Sequence, residues 1–172
     1  MKKYVITGGP GVGKSTVIKL LSDKGYMTVS ETARSVIERN LKRKSDILPW
    51  KDWLGFQKEV CAKQLSIEEK LPKNRIVFLD RGCLDSLAYV KLHGGKPSEE
   101  LLNIRLDYSK VFLLEPLGDF KTDNCRKEDK KTALRIHELI KEAYAGYELV
   151  TIPAVSPEER VLMILNCIKD KQ

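Results

Sequence analysis

The chain has 172 residues, 42% of them hydrophobic and 32% charged, and carries a formal charge of +7. That length suits one domain able to bury about 70% of the surface its unfolded form exposes, and the composition excludes a disordered or low-complexity chain. No stretch approaches the ~20 apolar residues that span a bilayer, and the apolar run near the N-terminus stops at Ile6, so neither a transmembrane segment nor a signal peptide is expected.

A positive surface attracts nucleic acid, anionic lipid and phosphorylated small molecules alike, so charge by itself does not choose a partner. The run Lys42-Arg43-Lys44 reads as a solvated face, and Arg126, Lys127, Lys130 and Lys131 are interleaved with Glu128 and Asp129. Cys61, Cys83, Cys125 and Cys167 stand far apart without a CxxC pair. Neither a zinc site nor a disulfide framework is expected, and the thiols read as reduced in a cytoplasmic protein.

In chain order, Lys3 to Thr7 is a short β-branched run ending in glycines, which predicts a buried strand. Val17, Leu20 and Leu21 then recur at helical spacing over Lys14 to Lys24, and Gly25 stops that helix. Tyr26 to Ser30 predicts a second strand, followed by a helix with Ala33, Val36, Ile37, Asn40 and Leu41 on one face. A further helix is predicted from Pro49 to about Lys70, with Trp53, Phe56 and Val60 aligned and Pro72 closing it. Ile76 to Leu79 has the continuous apolar character of a central parallel strand and ends in Asp80-Arg81-Gly82.

Leu84 to Leu92 and Pro97 to Asp107 read as helices separated by Gly94-Gly95, and Val111 to Leu114 as a fourth strand. A polar stretch then leads to a long amphipathic helix bearing Ala133, Ile136, Leu139, Ile140 and Ala143. Glu148 to Ile152 is a fifth strand, and Val161, Ile164, Leu165 and Ile168 mark a last helix. Five short strands alternating with helices predict an α/β fold with a mostly parallel sheet in one domain spanning 1–172.

The segment Gly8-Gly9-Pro10-Gly11-Val12-Gly13-Lys14-Ser15-Thr16 matches G-x-x-x-x-G-K-[ST] between a predicted strand and a predicted helix. Glycines let backbone N–H groups converge on a phosphate, and the helix N-terminus adds positive potential. Lys14 is expected to reach the β- and γ-phosphates, the Ser15 hydroxyl to coordinate Mg²⁺, and Thr16 to bond near the α-phosphate. Asp80, ending an apolar strand, is the expected second metal-side group. Arg81 beside it is suited to grip the reacting end of a substrate or to stabilise transferring phosphoryl charge.

With GGPGVGKST, Ser30-Glu31-Thr32-Ala33-Arg34, Val77-Phe78-Leu79-Asp80-Arg81-Gly82, Asp123-x-x-Arg126 and Ile152-Pro153-Ala154-Val155-Ser156 in this order, nearly the whole chain resembles a kinase-like P-loop family. That group includes the nicotinamide-riboside kinase domain and small AAA-labelled ATPases. The resemblance implies a three-layer α/β/α sandwich around a five-stranded parallel sheet in order 2-3-1-4-5. It also implies an acceptor site over strands 2 and 3 and a lid near 117–135. Glu31 falls where related nucleoside kinases carry the carboxylate that takes the acceptor hydroxyl's proton. Arg34 would bind an acceptor anion or pair with Glu31; both readings stand. Arg126, and further along Arg135, would present a guanidinium to the phosphates from the lid, and Pro153 and Ala154 would pack on adenine. Trp53 and Phe56 read as core, whereas Trp50 is freer to stack on a base; His93 and His137 receive no role.

The chain lacks the adenylyltransferase domain of two-domain nicotinamide enzymes and the Asn-Lys-x-Asp base motif of Ras-type GTPases. The expectation is therefore an ATP- and Mg²⁺-dependent phosphotransferase acting on a small hydroxylated, nucleoside-like acceptor, with GTP left open as donor. The alternative is a nucleotide-dependent switch with a lipid or protein partner. Nucleic acid is not an expected partner, because no zinc knuckle, aromatic platform or helicase motif accompanies the charge.

Overall fold

Strand alternation sets the architecture, which is seen in a computed structural model that describes residues 2–117 and 130–169. The elements are β1 (Lys2–Thr7), α1 (Lys14–Asp23), β2 (Met27–Val29), α2 (Thr32–Lys42), α3 (Trp53–Glu69), β3 (Ile76–Asp80), α4 (Cys83–Leu92), α5 (Glu99–Asn103), β4 (Tyr108–Leu114), α6 (Lys130–Ala143), β5 (Leu149–Ile152) and α7 (Pro157–Lys169). The five strands form one sheet in order β2-β3-β1-β4-β5, and every neighbouring pair is parallel. The three-layer α/β/α fold and the 2-3-1-4-5 order expected from the sequence are the observed ones.

Successive side chains of a strand point to opposite faces, and the core divides accordingly. Tyr4, Ile6, Phe78, Phe112 and Leu114 pack against Val17 and Leu21 of α1 and Val161 and Ile164 of α7. Val5, Val77, Leu79, Val111 and Leu113 pack on the other face against Leu84 and Ala88 of α4 and Ile136, Leu139 and Ile140 of α6. A fully buried Leu or Ile contributes about 2 kcal/mol, so these two layers hold the central strands rigidly. The order reverses on either side of β1, and in such sheets the crevice at the carboxyl ends of the strands is where ligands bind. The loop after β1 and the residues ending β3 open into that crevice.

Three elements differ from expectation by more than one residue. Helix α3 starts at Trp53 rather than Pro49 because the Asp52 side chain accepts from Gly55 N at 2.9 Å, while residues 49–51 form a turn. Helix α5 covers only Glu99–Asn103, since Ser98 caps it and Ile104 returns to extended backbone. Strand β4 begins at Tyr108 rather than Val111.

The expectation of unpaired thiols is corrected for two residues. Cys61 in α3 and Cys83 at the start of α4 are joined in a disulfide, with Cα atoms 5.0 Å apart. Their separation of 22 residues carried no pairing signal; packing of α3 on α4 brings them together. Cys167 is free, and Cys125 lies outside the described residues.

Candidate functional site

The phosphate cradle runs from the end of β1 into α1. Gly8 has φ +136°, and a Cβ there would sit 2.7 Å from the Leu114 carbonyl oxygen, so the loop can turn under β4 only with glycine. Gly9 N donates to His137 Nδ1 at 3.3 Å, so α6 braces the loop from one side and His137 acquires a role that its sequence context did not reveal. Burial lowers the pKa of His137, partly countered by Glu115, which keeps the ring neutral and able to accept.

Lys14 is only 7% exposed and donates to Gly8 O at 3.0 Å and Gly9 O at 2.7 Å. Burial, reinforced by the Arg81 charge, pushes its pKa down to about 7. Among the described residues its ammonium has no carboxylate within hydrogen-bond distance, a condition that a bound phosphate would relieve.

Beneath the cradle, Ser15 Oγ donates to Asp80 Oδ2 at 3.2 Å. The other carboxylate oxygen, Asp80 Oδ1, is buried without a hydrogen-bond partner, and burial raises the group's pKa. A buried carboxylate oxygen left open beside a serine hydroxyl fits a hard divalent cation that takes oxygen ligands. Ser15 and Asp80 are thus the residues suited to hold Mg²⁺.

Across the cavity stands Arg81, whose backbone has φ +70°. A left-handed arginine costs about 1–2 kcal/mol, and several bonds hold it there. Its N–H donates to Ile6 O at 3.0 Å, and its carbonyl accepts from Gln64 Nε2 at 3.4 Å. Its side chain donates through Nε to Glu31 Oε1 at 2.9 Å, and through Nη1 to Asp85 Oδ1 at 2.8 Å and Gly8 O at 3.3 Å. Burial works to raise the Glu31 pKa, but the charge and hydrogen bond of Arg81 outweigh it and hold the carboxyl below its ordinary value.

Asp85 was not singled out from the sequence. It is 3% exposed and also accepts from Thr7 Oγ1 at 2.7 Å, Gly82 N at 3.0 Å and Tyr144 Oη at 2.7 Å. The available signal was an acidic residue three positions past a helix cap, where it can bond back to the cap N–H. A Cβ on Gly82 would meet Tyr144 Oη at 2.6 Å and Tyr108 Oη at 2.8 Å, which explains the glycine of Asp-Arg-Gly.

One cavity of about 210 Å³ joins these parts. Pro10, Gly11 and Gly13 to Thr16 line it together with Glu31, Arg34, Arg81 and Tyr89. The structure thus brings Lys14, Ser15, Glu31 and Arg81 around one space, with Asp80 at its buried edge. Glu31 bonds Arg81 and also feels the charge of Arg34, which lines the same cavity, so both readings of Arg34 stand. Pro153 and Ala154 do not line it. Phe56 is buried core, Trp53 stacks on His93 with ring centroids 5.0 Å apart, and Trp50 is 63% exposed and away from the cavity lining. Arg135 is exposed and lies 4.0 Å from Glu142. Arg126 and most of 117–135 lie outside the described residues.

A parallel 2-3-1-4-5 sheet with a glycine-rich cradle after β1, a lysine and serine at its helix and an aspartate ending β3 defines a P-loop protein of the kinase or NTPase type. The AAA domain family matches residues 3–160, and the chain belongs to that family. No curated protein matches the chain in sequence. Among solved structures, the chain is similar to the deoxyadenosine kinase from M. mycoides solved with dCMP and dCDP, at TM-score 0.73 and 16% identity, covering 99% of this chain and 100% of that one. It is also similar to thymidylate kinase from Ehrlichia chaffeensis, at TM-score 0.66 and 16% identity over 97% of this chain and 98% of that one. Thymidylate kinase from Candida albicans follows at TM-score 0.65 and 16% identity, over 98% and 91%. At such identities the likeness speaks for the fold. Among the described residues no helix is long and apolar enough to cross a membrane.

Proposed function

We propose that the protein transfers the γ-phosphoryl group of ATP, in the presence of Mg²⁺, to an oxygen of a small hydroxylated, nucleoside-like acceptor. The observation that carries this reading is one cavity lined both by the cradle and by Glu31, Arg34 and Arg81. A donor's phosphate tail and an acceptor's oxygen can meet there in line, which is most of what phosphoryl transfer asks of a protein. The nucleoside and nucleotide kinases of the same fold support the acceptor class, and a cytoplasmic setting that supplies ATP goes with it.

In this reading the cradle amides hold the β-phosphate, and Lys14 leaves Gly8 O and Gly9 O to neutralise the β- and γ-oxygens. Ser15 and Asp80 would hold Mg²⁺, which would supply positive charge against that developing on the phosphates. Arg81 faces the transferring group, and its pairing with Asp85 fixes its orientation. Glu31 takes the acceptor hydroxyl's proton as the acceptor oxygen bonds to the γ-phosphorus and the bond to the β,γ-bridging oxygen breaks, releasing ADP. Arg34 stands at the acceptor end to hold a polar or anionic group of that molecule.

A coupled ADP-release screen over nucleosides, nucleoside monophosphates, pyridine ribosides, vitamins and sugars tests this, with Lys14→Ala as control. The expected result is acceptor-dependent ADP formation that the control lacks. If no acceptor raises ADP formation above the acceptor-free rate, the phosphotransferase reading fails. Partner affinity that differed between the triphosphate and diphosphate states would then favour the switch reading.

A further inference from the structure

Arg160 stands outside every motif that the sequence offers, yet it is among the most enclosed side chains in the protein, at 1% exposure. Its guanidinium donates to three backbone carbonyls on three separate segments. These are Val12 of the cradle through Nη1, Pro153 after β5 through Nε at 2.9 Å, and Glu115 after β4 through Nη2 at 3.0 Å. Among the described residues no carboxylate lies within ion-pair distance of it. Such a placement is costly: a buried cation with neutral partners contributes less stability than an apolar side chain of similar volume. Burial lowers its pKa, with the Glu115 charge only partly opposing this. Packing alone does not account for an arginine here.

Peptide geometry gives it a task. No peptide bond in the described chain is cis, so the carbonyl of Val12 and the N–H of Gly13, which share one planar unit, point in opposite directions. Arg160 holds the Val12 carbonyl behind the loop. The Gly13 N–H is thereby turned the other way, toward the cavity that Gly13 lines and Val12 does not. Only a planar fork with donors diverging from one carbon can reach all three carbonyls at once.

We propose that Arg160 is the positioning residue of the donor site, aiming the Gly13 N–H at the donor's phosphate while tying the cradle to the loops after β4 and β5. This rests on the reading of the cradle as a triphosphate site. Lysine would keep the charge and lose the fork; methionine would lose both.

The test is titration calorimetry with magnesium on wild type, Arg160→Lys and Arg160→Met, using ATP, ADP, inorganic tripolyphosphate and adenosine as probes. The account expects both variants to bind the three phosphate probes roughly 10-fold or more weakly, the scale of losing one charge-assisted hydrogen bond. The factor should be similar for each, adenosine binding should not change, and kcat at saturating ATP should hold while KM for ATP rises. Unchanged affinity in the folded fraction, even with a lower melting temperature, would reduce Arg160 to a structural role and overturn the assignment. Arg160→Lys binding like wild type would overturn it too, by showing that charge rather than the fork acts. Should Arg160→Met not fold, Arg160→Lys decides alone. Wild type that binds none of the phosphate probes would sink the donor-site reading itself, a failure distinct from variants that bind as well as wild type does.

Discussion

The two sides of the cavity are built from different materials. Around the cradle the material is backbone between Gly8 and Ser15, shaped by glycine conformations, with the Gly9 N–H tied to His137 and the Val12 carbonyl to Arg160. Around Glu31, the acceptor end in the proposed reaction, it is charged side chains in a chain of bonds, Glu31 to Arg81 to Asp85, and from there to Thr7 and Tyr144. A backbone site has its geometry set by the loop and recognises any triphosphate tail. A side-chain site draws part of its geometry from distant residues, Glu31 and Arg81 being 50 positions apart and Thr7 and Asp85 78, and can be retuned for a different acceptor by a few substitutions. The donor half should therefore govern nucleotide affinity, and the acceptor half turnover and acceptor choice.

Substitutions can break that division or sharpen it. The largest effect belongs to Lys14→Ala, which should lower turnover by about 1,000-fold or more, since it removes the principal cation on the transferring phosphates. Glu31→Gln should reduce kcat by about 100-fold or more, the range of general-base removal, while leaving the Kd for ATP nearly intact. If ATP affinity fell as steeply as kcat, the two halves would not be separate. Asp85→Asn puts an amide donor among four donors and replaces one of the two carboxylates that hold Arg81 with a neutral group. Stability should drop by about 1–3 kcal/mol, read by denaturant unfolding, and the acceptor KM should rise with little change in the ATP KM.

The smallest effect concerns pH. His137 has its pKa lowered by burial below the ordinary 6.5, so the unfolded chain takes up a proton that the fold resists. Its contribution to stability is fully present above about pH 6.5 and is lost as the pH falls toward the folded value. Melting temperature should decline with acidification more steeply in wild type than in His137→Gln.

The cradle was legible because its chemistry is local: glycines, lysine and hydroxyls in nine consecutive residues between a strand and a helix. The sheet order followed from the resemblance that these residues and Asp80-Arg81-Gly82 carry, and the two-sided core follows from strand alternation. Glu31 and Arg81 were named from sequence, but their mutual bond was not. The bonds of Asp85 to Thr7, of His137 to Gly9 and of Arg160 to Val12 escaped notice because they act across 78 to 148 residues of chain, where spacing carries no information, although the cap position of Asp85 was legible locally. The Cys61–Cys83 link was missed for a related reason, since it depends on how α3 packs on α4. Helix α5 came out short because Ile104 leaves helical geometry, which a polar, weakly periodic segment does not announce.

The most direct measurement follows labelled phosphate from γ-labelled ATP, with magnesium and a pool of nucleosides and nucleoside monophosphates, by thin-layer chromatography. The account predicts label on an organic acceptor with wild type, much less with Glu31→Gln, and none with Lys14→Ala. Label that stays on ATP, or appears only as inorganic phosphate whatever the acceptor, would contradict it.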